Sequence, residues 1–343
     1  MVRKTVLLFA AHLIFCCAAV ADDEAKLALV ATQDGRPSPL MSQFLTDRED
    51  TLENVANRDV DIIYGRKDGV ALTMHVYRPL RDRNNRGIIL VVSQGFWSGP
   101  EYRRMPKLTA KIRTLVEHGF TVFAVIHGSQ PRYAIDEIMG DIQRSIRFVR
   151  HRHDQFDIDS QSIGIFGDSS GGHLALLAAT LPPKDVPAPR DAADTKSSTV
   201  QAAVAYYPNT DLKNYGAEKR LIQEHFRGKG LAMAGVFDFR RWDAQSGKLT
   251  SMSAQEKLTA LLDLSPVSHV SKLAAPTLLI HGEKDDLVPI QQSHLFLRNM
   301  QKAGAECSLF VAPGMGHGWD KPVAGETEFL VTWLRKHLST ESN

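Results

Sequence analysis

Six short, almost wholly apolar runs, at residues 87–93, 121–127, 162–167, 202–207, 277–282 and 306–311, constrain this chain more than any other feature. Each has the length of a strand and lacks the polar alternation of a half-exposed one, so each reads as a strand buried on both faces. Between and after them lie helical patterns near 108–118, 136–151, 170–180, 290–303 and 326–338, several ended by Gly or Pro. Strands separated by helices return parallel to one another, so the alternation predicts an α/β fold, a mostly parallel sheet with helices on both faces. Two earlier runs, 60–64 and 70–77, flank Arg66-Lys67-Asp68-Gly69. Asp-Gly there suits a hairpin turn, which predicts an antiparallel entry and brings the sheet to eight strands.

Residues 210–263 break the rhythm with a stretch rich in Arg, Lys, Phe, Met and Gly, read as a helical lid inserted into a single domain over 58–341. No internal repeat or low-complexity tract suggests a second domain. Residues 22–57 are mixed and polar and read as a leader on the surface. Ahead of them Arg3 and Lys4 precede an apolar run over 5–20, interrupted only by His12, and Ala19-Val20-Ala21 before Asp22. That pattern predicts a signal peptide over 1–21, cleaved at about Ala21/Asp22, and a secreted or periplasmic product. The run is shorter than the ~20 residues of a spanning helix, so no stable membrane anchor is expected. Cys16 and Cys17 fall within it, leaving Cys307 as the one cysteine of the mature chain and no intrachain disulfide.

Charge narrows the partners. The formal net charge is +2, from 41 basic and 39 acidic residues, and Arg3 and Lys4 account for the excess. A neutral body lacks the field that steers polyanions, and no basic run interleaved with aromatics is present, so nucleic acid is not an expected partner. No GxGxxG follows a strand and no phosphate loop exists, so no cofactor is expected. His151-Arg152-His153-Asp154 does not continue into a zinc-hydrolase spacing and reads as a solvated helix end, so no metal site is expected. The oligomeric state is open.

The chemistry starts at Gly167-Asp168-Ser169-Ser170-Gly171-Gly172-His173, a Gly-x-Ser-x-Gly between a strand and a helix. A tight bend there strains the serine and presents its hydroxyl, and side chains in place of the outer glycines would strike the neighbouring strand or helix. A serine hydroxyl needs an imidazole to take its proton, and the imidazole needs a carboxylate to set its tautomer. The strand at 277–282 runs into Glu283-Lys284-Asp285-Asp286, which offers Asp285, with Asp286 as the alternative. Of the 13 histidines, His317 in Gly314-Met315-Gly316-His317-Gly318-Trp319 alone lies in the loop directly after the last strand. Backbone N–H groups that stabilise charge on a carbonyl oxygen are expected from Ser170 and from Gly95 or Phe96, in the loop after 87–93. Trp97, Arg132 and Trp319 are the expected substrate contacts, with pairing to a local acid as the alternative for Arg132.

The order Ser169, Asp285, His317 and the runs GDSSGGHLA, HGEKDDLVP and GMGHGW resemble the α/β-hydrolase superfamily over residues 59–338. More narrowly, the chain resembles secreted esterase/lipase-like hydrolases of the bacterial feruloyl/acetylxylan-esterase type, which border on the catalytic domain of prolyl oligopeptidases. The resemblance implies an α/β-hydrolase fold and a serine hydrolase that cleaves carboxylic esters, including those of acylated carbohydrates, through an acyl-enzyme. A prolyl-oligopeptidase-like peptidase without a propeller and a non-catalytic ligand-binding relative are the other readings. Where those esterases often carry His-Gly-Gly-Gly, this chain has Ser93-Gln94-Gly95-Phe96, which implies a bulkier wall of Phe96 and Trp97 beside the acyl group.

Overall fold

The computed structural model describes residues 52–100, 105–183, 185–226, 236–237, 239–319 and 321–339. The expected signal peptide and residues 22–51 of the expected leader lie outside them. Eight strands form the main sheet: β1 (Ala56–Lys67), β2 (Val70–Pro79), β3 (Gly87–Val92), β4 (Thr121–Ile126), β5 (Ile163–Asp168), β6 (Ala202–Tyr206), β9 (Thr277–Gly282) and β10 (Cys307–Ala312). Their spatial order is β1-β2-β4-β3-β5-β6-β9-β10. β2 is antiparallel to both β1 and β4, and every other pairing is parallel. The β1–β2 turn at Asp68-Gly69 has φ of 49° and 79°, the paired positive values of a tight hairpin. The leader boundary moves inward. Ala56 and Asn57 already belong to β1, and Leu52 is buried, because β1 extends past the run legible in its apolar residues.

Alternation along buried strands builds the two faces. Ile88, Leu90 and Val92 of β3 join one core with α1 (Pro106–Glu117) and α7 (Glu326–His337). Ile89 and Val91 join the opposite core, with α2 (Ile135–His151) and α3 (Ser170–Thr180). α6 (Gln291–Ala303) packs Phe296 and Met300 near Leu279 of β9 on this second side. Each such side chain contributes about 2 kcal/mol through burial, so the sheet holds itself between two apolar layers. α3 is buried along its whole length, which fixes the element that follows Ser169.

The chain leaves β3 toward β4 on one side, then crosses back to β5 on the other. Loops diverge at the carboxyl ends of β3 and β5, where open α/β sheets form their crevice. The insertion at 210–263 differs from the helical lid expected. Among its described residues are a short helix α4 (Ile222–Phe226), an antiparallel hairpin of β7 (Arg240–Asp243) and β8 (Lys248–Ser251), and α5 (Ala254–Asp263). The hairpin strands carry few apolar residues, so they left no alternating pattern to read.

Candidate active site

β5 brings the chain to Asp168, and Ser169 turns it into α3 with φ 53° and ψ −116°. Residues with side chains rarely adopt this conformation, and it is fastened on both sides. The Ser169 N–H donates to the Tyr206 carbonyl and the Ser169 carbonyl accepts from the His173 N–H, each at 2.9 Å. A Cβ on Gly167 would stand 2.3 Å from the Gly171 carbonyl oxygen, and one on Gly171 would stand 2.8 Å from that of Val91. The helix excludes a side chain at the first position and strand β3 excludes one at the second.

His317 reaches this serine from the loop after β10. Its Nε2 lies 3.1 Å from Ser169 Oγ and its Nδ1 lies 2.8 Å from Asp285 Oδ2. A carboxylate only accepts, so Nδ1 carries the proton and Nε2 offers its lone pair to the serine hydroxyl. Asp285 is buried in the loop after β9, whereas Asp286 is exposed. The other Asp285 oxygen accepts from the N–H groups of Leu287 at 3.0 Å and Val288 at 2.8 Å. Burial acts to raise this carboxyl, but hydrogen bonds from His281, His317 and the Val288 N–H outweigh it and hold the group well below the usual carboxylate range. It therefore stays charged opposite the imidazole.

Sequence reasoning missed the groups that seat His317. The Tyr207 ring lies 4.5 Å from the imidazole, and its hydroxyl donates to Asp168 Oδ2 at 3.0 Å. Lys111 Nζ approaches the same carboxylate at 3.6 Å while lying 3.7 Å from the centre of the Tyr206 ring. Burial pushes the Lys111 ammonium below its ordinary value against the pull of Asp168. Lys107 donates to the Gly318 carbonyl. His281 also went unassigned. Its Nε2 donates to the Val288 carbonyl at 2.8 Å and lies 3.4 Å from Asp285. The one sequence signal for Tyr207 and His281 was their position at the carboxyl ends of β6 and β9.

The loop after β3 makes a tight turn in which Gln94 and Trp97 exchange backbone hydrogen bonds, leaving Gly95 and Phe96 at its tip. Ser93, which stands where the resembling esterases carry histidine, places its hydroxyl 3.0 Å from that of Ser170 at the start of α3. The three expected oxyanion residues thus lie on the turn after β3 and at the first residue of α3, joined through Ser93. The wall expected of Phe96 is corrected. Its ring is fully buried, edge-on to His173 at 5.4 Å and Phe237 at 6.2 Å, because its backbone turns it toward α3 and the insertion. Trp97 is half-buried and packs on the opposite core. Arg132 is exposed over the Tyr133 ring at 5.3 Å, with no acid paired to it among the described residues. Trp319 donates from its indole to Glu326 at 3.1 Å and packs on Tyr206 and Tyr207, so it anchors the histidine loop. His151–Asp154 forms the end of α2 and a short 3₁₀ turn.

A mostly parallel sheet with a serine elbow after β5, an acid after β9 and a histidine after β10 defines an α/β-hydrolase fold. The chain belongs to the BD-FAE family, an esterase family of this fold, whose model matches residues 74–300. It is 28% identical over 239 residues to Esterase LipQ of Mycobacterium tuberculosis, covering 68% of this chain and 50% of that one. It is 30% identical over 218 residues to the probable carboxylic ester hydrolase LipM of the same organism, covering 60% and 43%. The chain spans about half the length of the curated relatives it matches. A truncated form of a carbohydrate esterase from gut microbiota superposes with a TM-score of 0.64 at 20% identity, covering 83% of this chain and 97% of that one. That likeness is one of fold.

Proposed function

We propose that this chain is a serine hydrolase that cleaves carboxylic esters through an acyl-enzyme. The observation that carries the reading is the pair of contacts made by His317, 3.1 Å to Ser169 Oγ and 2.8 Å to Asp285. Ser169 attacks the ester carbonyl while His317 Nε2 takes the hydroxyl proton, and Asp285 stabilises the imidazolium that results. The tetrahedral oxyanion is held by the Ser170 N–H together with that of Gly95 or Phe96. His317 then gives its proton to the departing alcohol, and water, deprotonated by the same nitrogen, releases the acid. The relatives named esterases support esters over amides, and the fold neighbour named a carbohydrate esterase is the reason to include acylated sugars among the substrates.

The insertion at 210–263 acts as the lid in this reading, since Phe237 packs on Phe96 beside the nucleophile elbow. The charged, apolar and small-residue order of residues 1–21 supports export as a secreted or periplasmic enzyme. The test is a panel of p-nitrophenyl acyl esters, acetylated and feruloylated sugars and proline-containing peptide amides, run on wild type and Ser169→Ala. Turnover of esters alone, lost in the variant, is expected. Cleavage of the amides alone, or ester turnover that survives Ser169→Ala, contradicts the reading.

A further inference from the structure

We propose that Gln130 is a positioning residue that holds the turn after β3 in the one orientation that makes the Phe96 N–H an oxyanion donor; the inference rests on the ester-hydrolase reading above.

That turn adopts a backbone form unusual for its sequence. Gly95 and Phe96 occupy its two central positions with φ of 56° and 66°. Positive values at both positions define the type I′ form, which glycine adopts freely and phenylalanine does not. Rotating the central peptide, the Gly95 carbonyl with the Phe96 N–H, converts this form to type II′. Gly95 then keeps its positive φ and Phe96 moves to a negative one. By local preference alone this sequence favours the flipped turn.

Gln130 opposes the flip through one hydrogen bond to the rotating peptide and anchors the rest of the turn through a second. Its Nε2 donates to the Gly95 carbonyl at 2.5 Å, and its backbone N–H donates to the Phe96 carbonyl at 3.2 Å. Its Oε1 accepts from the Val236 N–H of the insertion at 3.1 Å, which fixes the amide so that the NH₂ faces Gly95. The residue is 2% exposed, so water does not replace these bonds when they are lost. Carbonyl and N–H of a trans peptide point opposite ways, so the grip on the Gly95 oxygen sets the direction of the Phe96 N–H. The Gly95 N–H is set independently, because the Gln94 carbonyl of its peptide accepts the turn's own bond from Trp97 at 3.0 Å. Gln130 therefore controls one donor and leaves the other alone. Through Val236 it also ties that donor to the seating of the insertion.

Gln130→Met keeps the volume and removes the donor, and Gln130→Asn keeps the amide but shortens the arm beyond reach of Gly95. Both are made in the full chain, with kcat and KM measured on a p-nitrophenyl ester, affinity for an aryl trifluoromethyl ketone, and thermal melts. By comparison with loss of a whole oxyanion donor, kcat is expected to fall about 10- to 100-fold with KM within about threefold, and ketone affinity to fall in proportion. The parallel loss is the discriminating result, since a structural defect that lowers the fraction of folded enzyme leaves the ketone affinity of the remainder intact. Folded variants that keep kcat and ketone affinity within about threefold of wild type, or lose kcat at unchanged ketone affinity, overturn the assignment. If one variant fails to fold, the other decides. Wild type that neither hydrolyses the ester nor binds the ketone instead overturns the ester-hydrolase reading itself.

Discussion

Gly282 at the end of β9 and Met315 in the histidine loop meet backbone to backbone, so that a Cβ on Gly282 would stand 2.4 Å from the Met315 carbonyl oxygen. The Lys284 N–H donates to that same oxygen at 2.8 Å, and the Glu283 N–H donates to the Ala312 carbonyl at 3.0 Å. The loops bearing Asp285 and His317 are therefore fastened as one body, and the absence of a side chain at position 282 sets their separation.

Gly282→Ala should force these loops apart, since the added methyl also meets the Gly316 carbonyl oxygen at 2.7 Å. A shift of about 1 Å between acid and base costs about 100-fold in rate, so kcat/KM should fall by that order. Gly140→Ala is the control. Nothing lies within 4 Å of its added methyl, and it sits in α2. It should leave activity unchanged and raise stability by about 0.5–1 kcal/mol, read from denaturant melts.

Asp285→Asn should leave the fold intact and lower kcat by about 10³–10⁴-fold, because an amide no longer enforces the Nδ1–H tautomer or supports the imidazolium. Steady-state kinetics with KM near the wild-type value is the check. A loss below about tenfold would mean that the tautomer is set by something other than this carboxylate.

His173 and His127 make stability fall in acid. Burial pushes each imidazole down to about 4, against raising hydrogen bonds to the carbonyls of Asn209 and Gly128 respectively. An unfolded histidine titrates near 6.5, so between about 6.5 and 4 the unfolded chain binds protons that the folded chain does not. Stability is complete above that window and declines as pH falls through it, by about 2 kcal/mol for each group at pH 5. Denaturant melts across the range should follow this curve, and His173→Gln, which keeps a donor for Asn209, should flatten it by roughly half. An unchanged slope would assign the acid sensitivity elsewhere.

Much of this was legible in the sequence because it is local. The strands appear as apolar runs, although β10, read as buried on both faces, lies half-exposed at the sheet edge, and the three residues of the candidate triad each follow one of those runs: Ser169 after β5, Asp285 after β9 and His317 after β10. Distant pairings were not legible. Gln130 joins Gly95 to Val236, and Tyr207 joins His317 to Asp168, through contacts that no periodicity encodes. The β7–β8 hairpin escaped because Arg-Arg-Trp-Asp and Lys-Leu-Thr-Ser are four residues long with one apolar residue each, too little to form an alternating pattern. Phe96 looked like a pocket wall because it stands in the loop where the resembling esterases carry glycine. Its positive φ, visible only in three dimensions, turns the ring into the core.

The nucleophilic role of Ser169 is tested most directly by a fluorophosphonate adduct mapped by mass spectrometry on wild type and Ser169→Ala. Label on the peptide carrying Ser169, with both label and ester turnover absent from the variant, is predicted. Ester turnover and labelling at another serine in Ser169→Ala would contradict it.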